Sequence, residues 1–329
     1  MLTFLVVIII AIYYAIAAIV ALFTYNADKQ PVQVEKKMEP ELTPEMLACD
    51  KRMAHRLDSL MHIPQRLDTN LIAVSVFDAT TQRHVYGFHD DQSLIPASCM
   101  KISTAIAALK TLGMNYRYHE HILAMGEMKR DTLVGNLLLL ADDDPLMESF
   151  DPLIKKMRSR GIRHVRGNVY ITLAREDTLR PHPTAKAWDI PYHKTPLLLR
   201  GKRYVERTFR ASLRMNGVTV KRDRTVNAKK SKGSFGGGKY HYVATTSHSL
   251  RDVITPMLIH SSNIKADAVF YHLDWTQGLM PQRRMNWNCK HFAEIFWREQ
   301  TQVLDSVNTK LAFHDGSGLS PENRLSASV

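Results

Sequence analysis

The chain has 329 residues, 45% hydrophobic and 23% charged, a globular composition that excludes a disordered or fibrous polymer. Its formal net charge of +12 points to anionic surroundings: a membrane surface, a cell-wall polymer or nucleic acid. Basic residues crowd the glycine-containing stretch 220–242, but no zinc spacing or RNA-binding aromatic signature accompanies them, so nucleic acid is not expected as a partner. Cys49, Cys99 and Cys289 lie far apart without a Cys-x-x-Cys pair, so no disulfide framework is implied.

Residues 2–25 carry no charge, and ~20 apolar residues are enough to cross a bilayer. A secretory signal has a shorter apolar core of ~7–15 residues and a basic start. Residues 1–25 therefore read as a membrane anchor, with a cleaved signal as the alternative. Lys29, Lys36 and Lys37 follow the stretch and no basic residue precedes it, which by charge alone places the body in the cytoplasm. Residues 26–48, with Pro31, Pro40 and Pro44, read as a tether. From Thr43 to His62 a helical pattern runs through Leu47, Leu57 and Leu60. Residues 71–78 and 83–88 alternate around a polar turn at 78–82 and predict a hairpin.

Residues 96–109, "PASCMKISTAIAAL", follow directly. Ile102, Ala105, Ile106 and Leu109 fall on one helical stripe, predicted to be the buried one. Ser98 and Lys101 are three apart and share a face. A lysine near a helix start and desolvated is pushed toward its neutral form. A neutral amine beside a hydroxyl is a general base beside a nucleophile. The plainer alternative is an N-cap serine with a solvated lysine, and Ser262 and Lys265 repeat the same spacing. Cys99 lies between the pair but points ~100° away on a helix, and is expected to be a small buried residue.

The middle of the chain reads as β-rich. Strand-like runs at 133–140, 162–173 and 209–220 are separated by turn-rich segments such as "ADDDP" and "RPHPTAKAW", with no internal repeat. Helical character returns after Ser247 or Ser249 and continues to His260, with Pro256 as a potential kink. A second helix starts near Asn263, and "HSSN" is the junction. Asp315, Gly316, Ser317 and Gly318 then form a tight polar turn within "DGSGLS", residues 315–320.

Three stretches now stand in one order: Ser98-x-x-Lys101, Ser261-x-Asn263 and "DGSGLS". With "NYRYHEHIL", "GNLLLLADDDPLM" and "GIRHVRGNVYI", this resembles the class C, low-molecular-mass penicillin-binding proteins, the D-alanyl-D-alanine carboxypeptidase/endopeptidase family. The resemblance covers about 70–320. It implies an α/β (α+β) transpeptidase domain of the penicillin-binding-protein/β-lactamase kind, interrupted by a β-rich insertion. The expected division is 1–25 anchor or signal, 26–48 tether, 49–118 first transpeptidase segment, 119–245 insertion and 246–329 second, incomplete transpeptidase segment. It further implies that Ser98 is the nucleophile and Lys101 its base, that Ser261 relays a proton, and that Asn263 binds the substrate amide. Asp315 to Ser320 are expected to have a structural role near the cleft.

By the same resemblance the partners are peptidoglycan stem peptides, β-lactams as inhibitors, and the membrane through the N-terminal helix, with no cofactor and no metal. Because that substrate lies outside the cytoplasmic membrane, the body is expected on the extracytoplasmic side, against the lysine count. The family's Lys-Thr-Gly strand is absent and is expected beyond Val329, so the chain reads as a C-terminally truncated member. Two other expectations compete: a non-catalytic penicillin- or cell-wall-binding relic, and a basic membrane-tethered interaction protein whose serine motif is accidental.

Overall fold

The computed structural model describes residues 43–62, 68–185, 195–221, 240–276 and 311–328. The anchor expected at 1–25, most of the tether, Cys289 and much of the basic stretch lie outside the described residues. Among the described residues no helix is long and apolar enough to cross a membrane.

The first helix, α1 (Pro44–Met61), starts where the sequence predicts: the Thr43 hydroxyl accepts a hydrogen bond from the Met46 amide, and Pro44 follows at the first helical position. Nothing on α1 is buried. It is held to the hairpin β1 (Val74–Asp78) and β2 (Arg83–Phe88) by the Arg83–Asp50 ion pair at 2.8 Å and by a Tyr86 hydroxyl donating to Asp58. Asp78 closes the hairpin turn by accepting from Thr80 N and Thr81 Oγ1.

Helix α2 (Met100–Leu112) follows a one-turn 3-10 segment at Ala97–Cys99. Its buried face differs from the predicted stripe. Met100, Lys101, Thr104, Ala105 and Ala108 are buried, whereas Ile102, Ile106 and Leu109 are only partly covered. The helix is enclosed on several sides, and the tightest side takes small residues that permit close approach.

A six-stranded mixed sheet comes next. Its strands are β3 (Arg117–Lys129), β4 (Thr132–Ala141), β5 (His164–Val165), β6 (Val169–Leu173), β7 (Thr219–Val220) and β8 (His241–Ser249). The order is β7-β5-β4-β3-β8, with β6 also paired to β4. β3 is antiparallel to β4 and β8, while β5 and β6 run parallel to β4. Helices α3 (Asp151–Ser159) and α4 (Lys202–Met215) cover it through Leu153, Ile154 and Met157, and through Val205, Phe209 and Leu213. The region predicted as β-rich is thus mixed, and most of the strand predicted at 209–220 is helix. Val205, Phe209 and Leu213 are four apart, which is helical spacing. Gly217, at φ +68, stops the helix as Val218 N bonds back to Leu213 O, so only Thr219 and Val220 extend.

Two helices complete the description. α5 (Leu250–Ile259) begins with a capping box between Ser249 and Asp252 and contains Pro256, and α6 is Asn263–Thr276. Two apolar clusters result. One gathers α2, α5, α6, Tyr118 and Phe313; the other gathers the sheet interior with α3 and α4.

β3 runs from one cluster into the other, and a belt of buried polar groups marks the crossing. "ADDDP" is no ordinary turn. Asp142 accepts from His119 N, Asp143 pairs with His272 and Arg175, and Asp144 pairs with His248. The His272 ring lies 2.5 Å from Asp143 through Nδ1 and 2.6 Å from the Tyr116 hydroxyl through Nε2. Burial alone would raise the Asp143 pKa, but the His272 charge and hydrogen bond, with Arg175, bring it to about 2. Asp143 therefore contributes stability above the ordinary carboxylate range, and that contribution disappears as pH falls through about 2.

Glu120 behaves oppositely. Fully buried on β3, it accepts from Thr246 Oγ1, yet burial and the Asp144 charge push it up to about 8. A carboxyl whose folded pKa exceeds its unfolded value makes folding less favourable as pH rises between the two. Urea midpoints at pH 5, 7 and 9 should therefore rise for Glu120→Gln relative to the parent as pH increases. An offset that stays constant across the three pH values would contradict a protonated Glu120.

Candidate active site

Ser98 lies in the 3-10 turn that opens α2, and its side chain caps nothing in that turn. Lys101, one turn on, is 2% exposed. Its Nζ stands 3.0 Å from Ser98 Oγ and 2.8 Å from the Ser317 carbonyl oxygen. The solvated first-turn lysine of the plainer alternative is therefore not what the fold produces.

Ser261 comes from the α5–α6 junction. It sits at φ +50, a left-handed conformation unusual for a residue with a Cβ. Ser262 N bonds back to Met257 O, which ends α5, and Ser262 O accepts from Ala266 N, which begins α6. Ser261 occupies the glycine-favoured position between them, and its hydroxyl reaches Ser98 Oγ at 3.1 Å. Such backbone strain, worth about 1–3 kcal/mol, persists only where surrounding contacts impose it. Asn263 opens α6 two residues later and is half-buried. The competing serine, Ser262, serves the helix ends through its backbone.

Cys99 is exposed, not buried as the helical wheel suggests. It belongs to the 3-10 turn that precedes the α-helix, outside the segment that the helical projection describes.

The "DGSGLS" turn belongs to this site. Ser317 and Asp315 are each 1% exposed. Gly318, at φ +84, lies against Ala97, the residue preceding Ser98; a Cβ there would stand 1.7 Å from the Ala97 carbonyl oxygen. The segment around the turn is tied further by paired backbone hydrogen bonds between Leu94 and Leu325. Sequence reasoning suggested a structural role near the cleft for 315–320, but not that the Ser317 carbonyl touches Lys101. It also missed Asp267, a buried acid among the apolar residues of α6; four residues after Asn263, it shares a helix face with it.

The arrangement places a hydroxyl between a buried amine and a second hydroxyl, on the first turn of a helix. Chemically, a hydroxyl so placed has within reach an amine that could take its proton and a second hydroxyl that could pass one on, which is what acyl transfer requires. Among the described residues no group of three or more His, Cys, Asp or Glu side chains is arranged to hold a metal ion.

The sequence profile of the D-Ala-D-Ala carboxypeptidase 3 (S13) family matches residues 53–196 and 198–329. A D-alanyl-D-alanine carboxypeptidase from Actinomadura sp. (strain R39) is 31% identical over 116 residues, which make up 35% of this chain and 21% of that protein. The match thus spans about a fifth of that relative's length. Penicillin binding protein 4 from Haemophilus influenzae superposes with a TM-score of 0.54 at 15% identity, covering 77% of this chain and 72% of that one. The same protein complexed with a β-lactam gives a TM-score of 0.54 at 16% identity, covering 78% and 72%. At these identities the likeness is one of fold: a mixed α/β architecture like that of penicillin binding protein 4.

Gly318→Ala tests the seating of the turn on Ala97. The added methyl meets backbone in a left-handed conformation, so the turn must lift. Chemical denaturation should show a loss of at least ~1–3 kcal/mol, and an unchanged midpoint would mean that the contact is not formed.

Proposed function

The chain belongs to the D-Ala-D-Ala carboxypeptidase 3 (S13) family, and on that premise we propose that it is a serine-type D-alanyl-D-alanine carboxypeptidase/endopeptidase acting on peptidoglycan stem peptides. The observation that carries this reading is Ser98 Oγ held at 3.0 Å from the buried Lys101 amine and 3.1 Å from Ser261 Oγ.

The proposed reaction has two halves. The Ser98 oxygen attacks the carbonyl between two D-alanines while the neutral Lys101 amine takes the hydroxyl proton. The carbon–nitrogen bond breaks, the departing amine receives a proton relayed through Ser261, and an acyl-serine remains. Water then attacks the ester, regenerating Ser98 and releasing the shortened peptide. Asn263 holds the substrate amide, and the Ser98 backbone N–H serves as one oxyanion donor. A β-lactam enters the same path at the acylation step. The substrate class also supports an extracytoplasmic body, with residues 1–25 as its membrane attachment. In this reading residues 119–245 are an insertion between the two segments that carry the serine motifs.

In a protein that also carries the family's Lys-Thr-Gly strand, incubation with a penicillin followed by peptide mass spectrometry should place the adduct on Ser98. An adduct on Ser262 or Cys99, or none, would overturn the assignment. Lys101→Arg keeps the charge but cannot lose its proton near neutral pH. It should lower the acylation rate by ~10²–10⁴-fold, the range of general-base assistance, while leaving the fold unchanged. A rate within a few-fold of the parent would refute the serine–lysine mechanism. Acylation without release of D-alanine would favour a penicillin-binding relic.

A further inference from the structure

We propose that Asp267 and Asp315 are positioning residues for Lys101, acting through the backbone of Gly316 and Ser317. This rests on the reading of Lys101 as the base and explains what holds its amine in the required orientation.

Asp315 gathers the turn around its carboxylate. Its Oδ1 accepts from Ser317 N at 3.1 Å, Gly318 N at 2.6 Å and Asn323 Nδ2 at 3.0 Å, and its Oδ2 accepts from Ser320 N at 2.6 Å. Asp267 then fixes the folded turn in place: its Oδ1 accepts from Gly316 N at 3.2 Å, from the α6 side. From the α2 side, Thr104 Oγ1 donates to Gly316 O at 2.8 Å. The Gly316 residue is thus gripped at both polar ends between two helices. It has no room for more, because a Cβ would lie 2.5 Å from Phe270 Cβ and 2.6 Å from Ala266 O.

The next carbonyl along, that of Ser317, meets Lys101 Nζ. A carbonyl oxygen can only accept, so the amine must direct an N–H at it. With one N–H fixed, the lone pair of the neutral amine can be turned toward the Ser98 hydroxyl. Burial and the Asp315 charge hold the Asp267 carboxyl well above the usual carboxylate range. This favours the neutral form of Asp267, of which asparagine is a near-isostere.

The test uses the full chain, with Asp267→Ala, Asp267→Asn and Thr104→Val. Penicillin acylation is resolved into the dissociation constant of the non-covalent complex and the acylation rate constant. Asp267→Ala and Thr104→Val should lower the rate constant by about 10–100-fold, the cost of a small misplacement of a reacting group. Neither should change the dissociation constant by more than about twofold, since uniform binding is untouched. Asp267→Asn should recover most of the rate, which a role based on charge would not allow.

A second readout needs no turnover. In ¹³C-lysine-labelled protein, the Lys101 Cε signal, assigned through Lys101→Arg, should show two distinct Hε resonances in the parent and in Asp267→Asn. These should merge in Asp267→Ala and Thr104→Val as the side chain is released. Unchanged Lys101 signals in the alanine and valine variants would overturn the proposal, as would an unchanged rate constant. If the parent is not acylated at Ser98, the functional reading fails, while the Lys101 signals still decide the positioning role. If Asp267→Ala does not fold, Thr104→Val gives both readouts by itself.

Discussion

Everything at the site depends on keeping a primary amine out of water and giving it defined partners. Lys101 is 2% exposed, with Nζ against Ser98 Oγ and the Ser317 carbonyl. Desolvation disfavours the ammonium form; a hydrogen bond to the carbonyl keeps the buried group from being a pure penalty. The surrounding fold serves that balance. α2 contributes small residues so that α6 and the 315–320 turn can approach, and glycine stands at both points of closest contact, 316 and 318.

The buried polar belt across β3 does a different job. Apolar contacts are tolerant of sliding, whereas Arg175, Asp143, His272 and Tyr116 require one alignment of strand, loop and helix. Because His272 belongs to α6, the same helix that carries Asn263 and Asp267, that alignment also fixes the helix along its length. The belt therefore links the register of the sheet to the register of the site. Its acid–base members respond in opposite directions: Asp143 favours the fold when ionised, Glu120 when protonated.

Much of this was legible in the sequence where a local rule governs. Thr43 and Ser249 cap helices, a polar turn joins the two strands of the hairpin, and Ser98, Lys101 and Ser261 fall together. What escaped reading depends on non-local packing. The buried face of α2 is decided by what encloses it, so Ile102 and Ile106 end half-covered while Lys101 is enclosed. The stretch 209–220 carries β-branched and aromatic residues, but its four-residue spacing and Gly217 decide for helix. "ADDDP" has the composition of a turn, and only the arrival of Arg175, His248 and His272 from elsewhere makes its carboxylates structural. The Ser317 contact was invisible because a main-chain carbonyl leaves no mark on a side-chain motif.

The span of chain between partners at the site has a kinetic consequence. Ser98 and Lys101 are neighbours from the moment the helix forms, but the carbonyl that completes the lysine's environment is 216 residues downstream. Ser261 is 163 residues downstream. Closing such long loops is entropically slow and follows local structure formation. A ribosome extends the chain from its amino end, so the Ser98–Lys101 pair emerges and can become helical well before either partner exists. The polypeptide therefore passes through a long interval in which that serine has a neighbouring amine but no means of keeping it dry. The lysine's carbonyl partner therefore cannot be in place until residues 311–328 have been made.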